Sequence, residues 1–232
     1  MPTDNAAAWD RYAAAYQARA ELPTSTAHYG PDIPTEASLR LLGDLKGKRV
    51  LELGCGGAQC SIAFARRLCE RDDVKVELRH GDLADLAFLR ADSIDVVFSA
   101  NAFNFVDDLN RVFRQVHRVL KVSAPLVFSV PHPTYRLLND AQHAHDPVGE
   151  PLRIRRSYFD KSPIETERNG IVLTEYHHTM ADIYMGLARS SYRVDLVIEP
   201  EPVGDGHRSP DWSDACLSVP RTLIVRARKE GN

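Results

Sequence analysis

No stretch of the 232 residues approaches 18 consecutive apolar positions, so no membrane-spanning helix is expected. The opening run, Met1 to Arg11, is polar and alanine-rich and has no apolar stretch of the kind a secretion signal needs. Neither sign of charge is in excess: 29 Lys and Arg stand against 32 Asp and Glu, a formal net charge of −3. That balance leaves no basic footprint for nucleic acid or an acidic membrane surface. Cysteine is scarce, and Cys55, Cys60, Cys69 and Cys216 form no C-x-x-C pair. A disulfide framework and a zinc site are therefore not expected, and reduced thiols fit a cytoplasmic protein. The histidines lack a metal-ligand spacing as well. His143 and His145 have no Glu or Cys at a recognised interval, and His177 and His178 would face opposite ways on a strand, so no metal is expected.

What is present is an alternation of strand and helix patterns, the mark of a mainly parallel sheet covered on both faces. Arg49 to Leu53 is a short apolar run ending in glycines. Val74 to Leu78 alternates apolar and charged residues, as a half-exposed edge strand would. Ile94 to Ser99 and Leu126 to Val130 read as buried strands. Between them, Leu109, Val112, Phe113, Val116, Val119 and Leu120 share a helical face, with Asp107 or Asp108 placed to cap it. Arg111, Arg114, Arg118 and Lys121 fall on the opposite face, which is expected to be solvated. Pro131 to His178, rich in His, Pro, Asp and Arg, reads as a lid or insertion. Thr179 to Asp182 resembles a capping box opening a helix to about Ser190. Val194 to Ile198 and Leu223 to Ala227 supply closing strands, one of them antiparallel. One domain is expected, with residues 1–45 as an N-terminal helical arm.

Chemistry is signalled most strongly by Val50-Leu51-Glu52-Leu53-Gly54-Cys55-Gly56-Gly57-Ala58. A strand runs into glycines and then a helix starting at Gln59, an arrangement that lets a ligand approach the helix N-terminus closely. A dinucleotide fingerprint would need a third glycine where Gln59 stands. The run L-E-L-G-C-G instead resembles the class I S-adenosylmethionine-dependent methyltransferases. Further motifs follow in that family's order: Gly81-Asp82-Leu83, then Asp95 to Ala100, then Arg118 to Ala124 at a turn, then Tyr192 to Pro200 and Arg221 to Lys229. The resemblance spans roughly residues 35 to 232. It implies a doubly wound, Rossmann-like α/β fold, S-adenosylmethionine as cofactor, and a small-molecule methyl acceptor.

Carried over residue by residue, the resemblance sets Glu52, Gly54, Cys55 and Gly56 on the amino acid and ribose side of the cofactor. Asp82 and Leu83 would meet the adenine, and Ala100, Asn101 and Phe103 would lie below the sulfonium. Trp9 to Tyr12 with Tyr16 resembles an aromatic helix that folds over the cofactor. His132, directly after a buried strand, and His178 are the candidate bases for an oxygen acceptor. Tyr135, Tyr158, Phe159 and Tyr176 would shape the acceptor pocket from the lid.

Two departures stand out. The turn at Lys121 to Ala124 lacks the family's Pro-Gly-Gly. Between Arg67 and Val74, where the family places a second strand, an acidic residue for the ribose hydroxyls and another helix, this chain has only Leu68 to Asp73. Gly54 and Asp82 are 28 positions apart. A backbone interrupted near Arg67 and Leu68 is expected, with a vacancy beside Arg49 to Leu53. The alternative is a continuous, shortened connection that pairs Val74 to Leu78 with Arg49 to Leu53. The missing segment also keeps a non-catalytic binding module in play as a second reading, with a nicotinamide-dependent oxidoreductase a more distant third.

Overall fold

The computed structural model describes residues 5–20, 23–69, 75–138, 152–203, 208–209 and 212–231. After an N-terminal helix, α1 (Asn5–Ala20), and a single turn, α2 (Glu36–Leu39), strand β1 (Val50–Glu52) leads to helix α3 (Gln59–Cys69). Strand β2 (Val96–Ala100), helix α4 (Leu109–Val119) and strand β3 (Pro125–Pro131) follow. Next come a short helix α5 (Tyr135–Leu138), a hairpin of β4 (Ile164–Arg168) and β5 (Ile171–Glu175), and helix α6 (Met180–Arg189). Strands β6 (Tyr192–Ile198) and β7 (Thr222–Lys229) close the chain.

The main sheet has the order β1-β2-β3-β7-β6. β1, β2 and β3 are parallel, and β7 runs antiparallel to both β3 and β6. Alternation along the strands explains why both faces are buried. Val97, Leu126 and Phe128 face α4 and α6, packing on Val112, Phe113, Val116 and Leu187. Val96, Phe98, Val127 and Ile224 face the other way, onto Tyr29, Leu42, Cys60 and Phe64. The doubly wound, mainly parallel sheet expected from the sequence is therefore present.

Local signals place the helices. Asp108, rather than Asp107, caps α4, accepting the Arg111 N–H. Thr179 and Asp182 form a reciprocal capping box on α6. Asn169 and Gly170, with φ of 54° and 72°, make the tight turn that joins β4 to β5. Ser123 holds φ 65° in the turn after α4, where the family's glycine would sit unstrained. The basic face of α4 differs from expectation. Arg111 donates to the Ala84 carbonyl at 3.1 Å, and Arg118 to the carbonyls of Leu86 and Leu89 at 2.6 and 2.8 Å.

The connection after α3 settles differently from either sequence expectation. α3 crosses Arg67 and Leu68 as unbroken helix to Cys69, so the backbone is not interrupted at that junction. Residues 75–78 are not a strand, which corrects the reading of Val74 to Leu78; Val74 itself lies outside the described residues. A strand exists only when its N–H and C=O groups find a ladder. Among the described residues, no strand lies beside this segment to supply one. Val76 and Leu78 are accordingly exposed, at 52% and 70%. Among the described residues β1 pairs with β2 alone, so its outer edge is the expected vacancy.

In the lid, residues 139–151 lie outside the described residues. Its remainder carries α5 and the β4–β5 hairpin, and α1 packs on that hairpin. Asn5 fixes the contact: its amide donates to the Thr174 carbonyl at 2.7 Å and accepts the Thr174 N–H at 2.9 Å. Tyr12, Ile171 and Leu173 are buried there with Trp9, Tyr16 and Phe105 against them.

Candidate active site

β1 and β2 point the same way, so their C-terminal ends open on one side of the sheet, where α/β folds place ligands. Gly54 leaves β1 at φ +71°, and a Cβ there would stand 2.3 Å from the Ala102 Cβ. The same position is 3.9 Å from Leu83 Cδ1. Three sequence motifs therefore meet at one point: the glycine loop, the Gly81-Asp82-Leu83 segment and the turn after β2. Ser99 ties the first to the third, donating through its hydroxyl to the Leu53 carbonyl at 3.0 Å.

Glu52 lies at the end of β1, where the Ser61 hydroxyl of α3 donates to its carboxylate. Burial pushes its pKa up to about 7, against the lowering effect of that hydrogen bond. Cys55 is half-buried, and burial first, then the neighbouring Glu52 charge, raises its thiol pKa. Around Gly56, at φ +52°, nothing comes nearer a built Cβ than Gln17 Nε2 at 3.9 Å. A Cβ on Gly57, by contrast, would meet the Gln17 amide at 2.0 Å, so α1 rests directly on the loop. Tyr16 lies next to it in the aromatic cluster, edge-on to Trp9 with centroids 5.6 Å apart.

Asp82 is exposed, and its side chain accepts the Ala84 N–H at 2.8 Å, closing a turn. It borders an open cavity of about 580 Å³ whose walls include Arg79, Gly81, Asp85 and Phe88. Ala100 ends β2 half-buried, and Asn101 follows at φ 49°. Phe103 is fully buried against Phe113 and Phe128, which makes it a support beneath the turn and removes its ring from the cavity surface.

The two candidate bases differ. His132 is buried with both ring nitrogens engaged: Nδ1 accepts the Thr134 N–H at 3.1 Å, and Nε2 meets Glu199 at 2.8 Å. His178 uses Nε2 alone, donating to the Val106 carbonyl at 2.9 Å. Burial lowers the His178 pKa, so the ring is neutral near pH 7 with its lone pair on Nδ1. His178 lines a small cavity at the ends of β2 and β3 together with Asn104, Val130, Arg136 and Tyr176.

Residues 58–128 match the family model described as a methyltransferase domain. A solved S-adenosylmethionine-dependent methyltransferase from Mesorhizobium loti superposes with a TM-score of 0.61 and 25% identity, covering 83% of this chain and 96% of that one. The chain is an S-adenosylmethionine-dependent methyltransferase. Among curated relatives, an uncharacterized Haemophilus influenzae protein is 23% identical over 229 residues, covering 82% of this chain and 85% of the relative. The ubiquinone biosynthesis O-methyltransferase of Hahella chejuensis is 33% identical over 104 residues, covering 37% of this chain and 44% of that enzyme. S-adenosylmethionine is the methyl donor of this methyltransferase, which sets aside the nicotinamide reading and the non-catalytic one. Gly54 allows the loop to pack closely on Ala102, and the open space around Gly56 suits that donor's approach. Among the described residues, no helix of the methyltransferase is long and apolar enough to cross a membrane.

Sequence reasoning did not single out Gln17, Asn104, Arg136 or Glu175. Asn104 had a signal: it is the one polar residue within Ala102-Phe103-Asn104-Phe105-Val106.

Proposed function

We propose that this methyltransferase acts on a small-molecule acceptor, transferring the methyl group to an oxygen, nitrogen or carbon atom. The observation that carries the reading is the small cavity beside His178, bordered by Val130 and Pro131 at the end of β3 and by Asn104 after β2. Glu52, Gly54, Cys55, Gly56, Asp82 and Leu83 would hold the cofactor, with Ala100 and Asn101 beneath the transferring methyl, Phe103 supporting them and Tyr16 above. When bound, S-adenosylmethionine supplies a methyl group on a cationic sulfur whose departure leaves a neutral thioether.

For a hydroxyl or amine acceptor, the acceptor–carbon bond forms as the carbon–sulfur bond breaks, and the pair from that bond stays on sulfur. The acceptor's proton passes to His178 Nδ1. Val106 holds the tautomer in which that nitrogen is free to take it. Positioning does much of the remaining work, because the leaving group is already good. His132, whose two nitrogens both serve the protein, holds the chain after β3 through Thr134 and Glu199.

The test is transfer of labelled methyl from S-adenosylmethionine into cell extract separated by size, with donor binding measured by calorimetry. Label in the small-molecule fraction supports the reading. Label confined to protein or RNA refutes it.

A further inference from the structure

Asn104 is held at two points. Its backbone carbonyl accepts the Tyr176 N–H at 2.7 Å, and its Nδ2 donates to Glu175 Oε2 at 2.6 Å. Glu175 is in turn paired with Arg136 through that same oxygen, and both side chains are largely buried. A carboxylate paired with a guanidinium can only accept, so the nitrogen of the amide must face Glu175 and the oxygen must face away. That oxygen, Oδ1, is buried and has no hydrogen-bond partner, while the residue as a whole is 6% exposed. A buried acceptor left unpaired is destabilising, and such groups in a folded protein call for a specific explanation.

Asn104 and His178 border the same cavity. Its free space of about 10 Å³ is that of a single water-sized group, a head group rather than a whole molecule. Leu109, Val130 and Ile183 supply apolar walls, so a polar group entering there has few places to bond.

Building on the acceptor reading above, we infer that Asn104 orients the methyl acceptor, its Oδ1 accepting a hydrogen bond from a hydroxyl or amine hydrogen on the acceptor's head group. The acceptor class is thereby narrowed to alcohols, phenols and amines, and carbon nucleophiles without such a hydrogen, thioethers and carboxylates are excluded. An amine would keep a second hydrogen for His178 Nδ1, and the single hydrogen of a hydroxyl would turn from Oδ1 to Nδ1 as the new bond forms. Glu175 and Arg136 act through Asn104 and position it.

The probes are phenol and anisole, which share a ring and differ in the hydrogen that Oδ1 would accept. Affinity is measured on the full-length protein saturated with S-adenosylhomocysteine. In the native protein phenol binds about tenfold more tightly than anisole, the worth of one hydrogen bond to an otherwise unpaired buried acceptor. Asn104→Leu brings that ratio to about one while S-adenosylhomocysteine affinity stays within about twofold. A purely structural Asn104 would weaken both probes alike and leave the ratio standing, which overturns the inference. Should Asn104→Leu fail to fold, a crystal structure of the native protein with phenol decides: the phenol oxygen within hydrogen-bond distance of Oδ1 supports the inference, and a water retained there overturns it. Binding of neither probe by protein that does bind S-adenosylhomocysteine also overturns it, yet leaves the methyl-transfer reading intact. Failure to bind S-adenosylhomocysteine would sink that reading instead.

Discussion

Replacing Glu52 with glutamine should flatten the pH dependence of cofactor binding. The carboxyl sits at the end of β1 with a pKa pushed up to about 7 by burial, so it is half protonated at neutral pH. S-adenosylhomocysteine carries a protonated amine through this range, and the charged carboxylate binds it better than the neutral acid. Each pH unit below 7 should then weaken binding up to about tenfold, or about 1.4 kcal/mol, with a plateau above pH 8. The glutamine keeps an oxygen for the Ser61 hydroxyl and loses the titration. The affinity of this variant should stay level from pH 5.5 to 8.5 and meet that of the native protein near the acid end. The ligand-free protein should show the opposite trend in stability. The folded carboxyl binds its proton more tightly than an unfolded one near 4.5, so its favourable contribution is complete below that pH and is lost as pH rises through 7. The ceiling of that loss is about 3 kcal/mol, so Glu52→Gln should raise the ligand-free melting temperature at pH 8 by several degrees. Calorimetric titrations at five pH values and parallel melts read both effects. Parallel binding profiles for the two proteins would refute the reasoning.

Gly54→Ala should unfold the loop region, because its Cβ would lie 2.3 Å from Ala102 at φ +71°; a loss of about 2–4 kcal/mol should appear as a lowered melting temperature. Gly56→Val has open space around it, so it should melt within about 1–2 kcal/mol of the native protein while S-adenosylhomocysteine binding is lost, and unchanged titration heats would count against a ligand at this loop. His178→Gln should lower kcat for a hydroxyl acceptor by about 10²–10⁴ with cofactor affinity unchanged. With burial holding the His178 pKa below its ordinary value, native kcat should rise with pH only in the acid range and be level from pH 7; a rise centred above 7 would exclude this histidine as the base. Asn5→Ala should free α1 from β5, seen as faster hydrogen exchange at Thr174, whose N–H donates to Asn5.

Elements whose signals are local were legible in the sequence. The capping box at Thr179 and Asp182, the Asp108 cap and the strand alternation of β6 all depend on neighbours a few residues apart. Val74 to Leu78 failed because its alternation is a local property, whereas strand formation needs a partner supplied from elsewhere in the chain. The glycine loop and Asp82 segment were found from motif order, and a Cβ built on Gly54 would stand 2.3 Å from Ala102 and 3.9 Å from Leu83. Asn104 stood out only as a polar residue in an apolar run, for the opposite reason. Its interest lies in a carboxylate 71 positions away that takes its amide nitrogen and turns its oxygen the other way, and no spacing announces that. The β4–β5 hairpin was hidden inside a compositionally odd lid, although Asn169-Gly170 is a strong turn signal.

The two arginines of α4 bear on how this chain tolerates its shortened connection. The turns that follow the unpaired segment are here moored by guanidinium groups, which grip the carbonyls of Ala84, Leu86 and Leu89 from a neighbouring helix. Mooring by side chains is discrete where a ladder is distributed: two residues hold the turns between Asp82 and Leu89. The outward face of α4 thereby becomes a remote control on the wall that carries Asp82. Changes at Arg111 or Arg118 would shift that wall with no contact to the ligand.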